Sequence, residues 1–132
     1  MFRTITITIL LASVSAFGQK SALNDTIAEH SEAGWDAALQ IWRWAEPGYQ
    51  ETQSADLLAR MLAESGFRIE REAAGIPTAF VASFGEGKPV IGIMAEYDAL
   101  PGLAQEARPE RAGVEGQSYG HGCGHHLFGA GS

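Results

Sequence analysis

Residues 119–128 read Tyr-Gly-His-Gly-Cys-Gly-His-His-Leu-Phe. His121, His125 and His126 are three of the four histidines of the chain, and Cys123 is its single cysteine. Imidazole and thiolate are favoured ligands for zinc and related divalent ions. The glycines between them let the backbone turn tightly and come close to other atoms. In an extended or turning segment, His121, Cys123 and His125 fall on one side and can address one ion, while His126 faces away or opens a helix. The plainer alternative is a glycine-rich loop with a buried thiol and surface imidazoles, but so dense a cluster favours the metal. Closed structural zinc sites take four ligands in two pairs. A partial set therefore points to an open, catalytic centre whose other ligands come from elsewhere.

A second place for chemistry lies upstream. Pro89-Val90-Ile91-Gly92-Ile93-Met94-Ala95 is a continuous apolar run, the pattern of a strand covered on both faces inside an α/β sheet. It ends in Glu96-Tyr97-Asp98. Site residues of open α/β sheets gather just beyond strand C-termini. The alternative for Glu96 and Asp98 is a solvated strand end and a turn cap before Ala99-Leu100-Pro101-Gly102, and position alone leaves both open.

The elements that must place these groups are mostly legible. From Asn24 or Asp25, either of which can cap, Ile27, Trp35, Ala38, Leu39, Ile41 and Trp42 follow a helical period. The three tryptophans read as packing residues. Ala45-Glu46-Pro47-Gly48 ends that helix, because proline cannot continue it. A second helix is expected over 51–65, capped by Thr52 or Ser54, with Ala55, Leu58, Ala59 and Leu62 on one face and Gly66 as its stop. Strands are expected at 67–72 and 79–84, separated by a turn at Gly75-Ile76-Pro77. A hairpin-like turn at 85–88 should lead into the apolar run. Residues 105–117 are polar with Pro109, Gly113 and Gly116, and read as an irregular loop. Leu127 to Ala130 looks like the first turn of a small-residue helix.

The 132 residues carry a formal net charge of −7 and no basic run. That argues against nucleic acid, which needs Lys and Arg on its phosphates. A hydrophobic content of 45% suffices for a core. Residues 1–18 read as an export signal: Arg3, an apolar stretch from Ile5 to Val14, then small residues to Gly18. The stretch is too short to span a bilayer comfortably, so no stable membrane anchor is expected. The alternation of Thr and Ile would otherwise suit an N-terminal strand. Export leads to a periplasmic or secreted protein, a setting that allows disulfides, yet one cysteine cannot form one within the chain.

Three stretches together resemble the M20 metallopeptidase family, in its amidohydrolase branch. They are 41–62 with Glu46-Pro47 and Glu51-Thr52, 89–101 with Glu96-Tyr97-Asp98-Ala99-Leu100-Pro101, and Gly120-His121-Gly122-Cys123-Gly124-His125-His126. The resemblance implies an α/β fold, the N-terminal part of a two-metal catalytic domain occupying 19–132. Zinc or manganese would be held by Cys123 and His125, and Asp98 would orient a ligand. Glu96 stands where many members carry histidine, and is expected only beside the ligands. The substrate class implied is an N-acyl amino acid such as p-aminobenzoyl-glutamate, cleaved at its amide. Family members are several times longer. The glutamate that serves as general base, two further histidine ligands and the lid or dimerisation domain have no counterpart in these residues. The chain is thus expected to be an N-terminal fragment, inactive alone, of a protein that forms homo- or hetero-oligomers.

In such a centre a divalent ion lowers the pKa of water and polarises the carbonyl, and a carboxylate shuttles the proton. Cys123 would be a ligand and not a nucleophile, since nothing in the sequence sets a base and an orienter around it. The rival of a different class is a small exported metal-binding or interaction protein without catalysis.

Overall fold

A computed structural model describes the backbone of residues 2–131 and the side chains of residues 20–131. The element order is α1 (Phe2–Trp44), α2 (Thr52–Glu64), β1 (Arg68–Arg71), a short 3-10 turn (Ala73–Gly75), β2 (Phe80–Ser83), β3 (Leu100–Pro101), β4 (Tyr119–Gly120) and α3 (His125–Gly131). Three helices and two small antiparallel sheets make this an α/β chain, as expected. The chain divides into two units, Met1–Ala33 and Gly34–Ser132.

The first unit is the N-terminal stretch of α1. The export reading of residues 1–18 concerns side chains that lie outside the described residues. Backbone helix begins at Phe2, so Asn24 and Asp25 are interior helix residues and not caps. Their side chains are exposed, where a poor helix former costs well under about 1 kcal/mol and does not interrupt a helix. No helix among the described residues is long and apolar enough to cross a membrane.

The second unit holds the core. Among the described side chains of α1, the buried ones are in its last turns, Ala37, Ala38 and Ile41. Ile27 and Trp35, which belong to the same apolar pattern, are exposed. Ala37 and Ile41 meet Leu57 and Leu58 of α2, with Trp44, Met61, Phe80, Tyr97 and Ala130 packed around them. α2 ends as its sequence implies. The Gly66 N–H reaches the Ala63 carbonyl and the Phe67 N–H the Leu62 carbonyl, each at 3.0 Å, the paired bonds of a Schellman stop.

The start of α2 differs from expectation. Neither Thr52 nor Ser54 caps it: Thr52 is its first residue, and Ser54 lies fully buried inside it. The cap comes from Glu46, whose carboxylate accepts from the Gln53 N–H at 3.0 Å, the Ser54 N–H at 2.9 Å and the Ser54 hydroxyl at 2.8 Å. A carboxylate suits this position, since the free N–H groups and the helix dipole both favour negative charge.

β1 and β2 pair antiparallel, with Ile69 opposite Ala82. Both expected strands therefore form, joined through residues 72–79. The expected strand at 89–95 does not form. Residues 84–98 have no regular secondary structure, and Val90, Ile91, Ile93 and Met94 are 84%, 83%, 75% and 90% exposed. The hairpin-like turn at 85–88 accordingly connects no pair of strands. A fully apolar strand is stable only with neighbours on both edges and cover on both faces, and the described residues supply neither.

Candidate metal centre

Two chain segments far apart in sequence are drawn together by backbone pairing. Ala99 pairs in parallel with Pro47, and its N–H donates to the Glu46 carbonyl at 2.8 Å. Glu46 therefore holds α2 with its side chain and the 96–99 segment with its backbone. Immediately after, Leu100 pairs with Gly120 and Pro101 with Tyr119. This brief ladder carries the histidine cluster back to Asp98. Gly120 is required there: a Cβ would run into the Ala104 Cα and the Leu103 carbonyl. The chain then turns, with the Gly124 N–H on the His121 carbonyl at 3.0 Å, and α3 starts at His125. Tyr97 is fixed from below. Its hydroxyl donates to the Thr78 carbonyl, and the Thr78 hydroxyl donates to Glu51 at 2.6 Å. Burial, reinforced by the negative charge of Glu51, pushes the Tyr97 hydroxyl up to about 12, so it stays a donor.

The outcome is a three-residue group, Glu96, Asp98 and His125, whose ligand atoms all lie within 4.8 Å of one another. His125 Nδ1 is 2.9 Å from Asp98 Oδ1, and His125 Nε2 is 3.3 Å from Glu96 Oε2. Both ring nitrogens thus face carboxylates. A neutral imidazole has one N–H and one lone pair. If Nδ1 donates to Asp98 at the shorter distance, the Nε2 lone pair faces the lone pairs of Glu96. A cation between the two atoms would relieve that opposition, as would a second proton on the ring, which lets both nitrogens donate. Two ligand atoms on one tetrahedral ion, each about 2.0–2.2 Å from it, lie about 3.3 Å apart, which is the spacing found.

The sequence expectations meet this geometry unevenly. His125 and Asp98 come together, with Asp98 placed to orient the ring. Glu96, expected only beside the ligands, joins the group directly. Its signal was its position two residues before Asp98, since residues i and i+2 of an extended segment share a side. Cys123 is a half-buried free thiol and is not a member of the group.

His121 and His126 turn inward and are 2% and 5% exposed. Their ring centres lie 5.0 Å apart, and Trp42 of α1 packs edge-on against His126 at 4.9 Å. Burial, then the neighbouring His126 and His125, lowers His121 to about 4. Burial and His125 lower His126 as well. Asp98 and the Ile41 backbone act against the shift at His121, though the Ile41 contact falls short of a regular hydrogen bond. The helix opens at His125, and His126 is its second residue.

The chain is similar to one subunit of the p-aminobenzoyl-glutamate hydrolase of Escherichia coli (strain K12). The two are 44% identical over 108 residues, 81% of this chain and 22% of the relative. The chain thus spans about a fifth of the length of the curated relative it matches. No family model matches the chain.

Proposed function

We propose that this chain carries part of the metal centre of an M20-type amidohydrolase that cleaves the amide of an N-acyl amino acid such as p-aminobenzoyl-glutamate. The observation that carries the reading is His125 with a carboxylate on each ring nitrogen, 2.9 and 3.3 Å away. The likeness to a hydrolase named for that substrate supports it.

The donor set fits a divalent ion. Imidazole with carboxylate suits zinc, and carboxylate oxygen suits manganese. His125 Nε2 and Glu96 would hold the ion, with Cys123 as a further ligand if its loop closes onto the group. When bound, such an ion supplies a water of near-neutral pKa and polarises the amide carbonyl. Asp98 accepts a hydrogen bond from the Nδ1–H of His125, which would fix the tautomer and make the Nε2 lone pair the better ligand, as carboxylate partners of ligating histidines do. Glu96 is 57% exposed at its side chain, so the open side of the centre is the side a substrate would approach. The general base and remaining ligands are assigned, from the resemblance, to polypeptide outside these residues, and this chain alone is not expected to turn over. Export through residues 1–18 and assembly into oligomers belong to the same proposal.

A chimera tests it. The matching 108 residues of the Escherichia coli protein are replaced by this sequence, and hydrolysis of p-aminobenzoyl-glutamate is followed with and without chelator. The expected result is turnover that chelator stops and zinc or manganese restores. A folded, metal-loaded chimera without turnover would remove the substrate assignment. Turnover indifferent to thorough chelation would remove the metal.

A further inference from the structure

Two imidazoles that the proposed centre does not use lie buried side by side. Both ring nitrogens of His121 and Nδ1 of His126 make no hydrogen bond. Buried polar atoms are seldom left without a partner, and here three gather within one pair of rings. The rings come from different elements, His121 from the turn after β4 and His126 from α3. Trp42 fixes His126 edge-on, so the pair is held in place before anything binds.

We propose that His121 and His126 together hold a divalent, borderline-soft cation such as zinc, at a position separate from the Glu96–Asp98–His125 group. Two imidazoles on one tetrahedral ion, each nitrogen about 2.0–2.1 Å from it, put their ring centres about 5 Å apart. The observed separation is 5.0 Å, with the planes inclined at 54°. A ligating histidine usually gives its other N–H to a carboxylate or backbone carbonyl. For His121 the Ile41 backbone is near enough to act on the ring but makes no regular hydrogen bond with it. The remaining coordination is left to water or to a substrate group. This inference does not rest on the proposed amidohydrolase activity, because its ligands are different residues.

Cobalt(II) titration of the chelator-stripped 132-residue chain tests it, read by bound ions per chain and by the visible absorption of nitrogen-ligated cobalt. The unsubstituted chain should take two ions. His126→Phe, which keeps a ring against Trp42, and His121→Phe should each lose one ion and its absorption band. His125→Ala should lose the other and keep that band. Circular dichroism checks that each variant is folded, and His126→Phe decides the matter if His121→Phe fails to fold. If both Phe variants bind as the unsubstituted chain does while His125→Ala loses all binding, the pair is ordinary aromatic packing around a buried water. The inference then falls and the His125 centre stands. If the Phe variants each lose an ion and His125→Ala loses none, this inference stands and the His125 centre falls. If no variant and no parent binds cobalt, both fall.

Discussion

His125 Nδ1 and Asp98 Oδ1 lie 2.9 Å apart, joining two residues 27 positions distant in the chain. Nothing local enforces that contact. It depends on the Leu100–Gly120 and Pro101–Tyr119 pairs, which return the cluster to the segment anchored on Glu46. Asp98→Asn keeps the shape of the side chain and removes its charge. Zinc affinity, measured by calorimetry, should fall about 10–100-fold, the usual effect of losing a carboxylate behind a ligating histidine. An unchanged affinity would mean that Asp98 does not orient His125.

Glu46 is 9% exposed and serves as the cap of α2. Burial alone would raise its pKa, but the hydrogen bonds from Gln53 and Ser54 outweigh that and lower it. Glu46→Ala would strand the buried Ser54 N–H and hydroxyl. The expected loss is about 2 kcal/mol, the upper range for a cap, read as a lower urea midpoint with unchanged slope.

Acid should destabilise the chain in a defined window. His121 falls from 6.5 to about 4 on folding, so between those values the unfolded chain binds the extra proton. Stability is then full above about 6.5 and declines as pH drops toward 4. His126 shifts in the same direction. The depressed Glu46 extends the loss below its ordinary 4.5. A shift of this size at His121 corresponds to about 3 kcal/mol. Urea melts of metal-free protein from pH 7 to pH 4 should show the decline, and His121→Phe should flatten the upper part of it.

Elements with their own signals were legible from sequence: α2 with its Gly66 stop, the two strands at 68–71 and 80–83, and the loop at 105–117. What escaped was decided by distant partners. Glu46 sits six residues before the helix it caps, so no local capping pattern could reveal it. The 89–95 run has the composition of a buried strand, but composition cannot supply the neighbours that a strand requires. At the site, Asp98 and His125 were read from their type and position. That Glu96 stands 3.3 Å from His125 was not legible, because it depends on which way an extended segment faces.

Gly120 tests whether the β3–β4 ladder positions the centre. In Gly120→Ala the new Cβ would meet backbone atoms of Leu103 and Ala104, which cannot rotate away. The cost should be about 3 kcal/mol, the upper range for overpacking. If the ladder delivers His125 to Asp98, metal affinity should also fall in whatever fraction remains folded. Gly122, whose nearest contact for a Cβ is 3.2 Å, provides the milder comparison, and Gly122→Ala should bind metal nearly as the parent does.

In the proposed centre, Cys123 and Glu96 are alternative partners of His125 on the ion. The sequence pattern favours Cys123, two residues before His125, whereas the geometry favours Glu96, 3.3 Å from Nε2. The two differ in chemistry. A thiolate ligand gives cobalt an intense near-ultraviolet charge-transfer band, and a carboxylate does not. A thiol must also lose its proton to bind, so its contribution should weaken more as pH falls than a carboxylate's does. Cobalt spectra of Cys123→Ser and Glu96→Gln, recorded at about pH 7.5 and 5.5, on either side of the histidine range, separate the cases. If Glu96 is the ligand, Glu96→Gln should lose affinity at both pH values and Cys123→Ser at neither, with no charge-transfer band in the parent. If the loop closes onto the ion, the band appears, vanishes in Cys123→Ser and fades at the lower pH. Loss in both variants would mean that Cys123 and Glu96 share the ion with His125. Retention of full affinity in both would leave His125 and Asp98 as an ion pair, with no metal between His125 and Glu96.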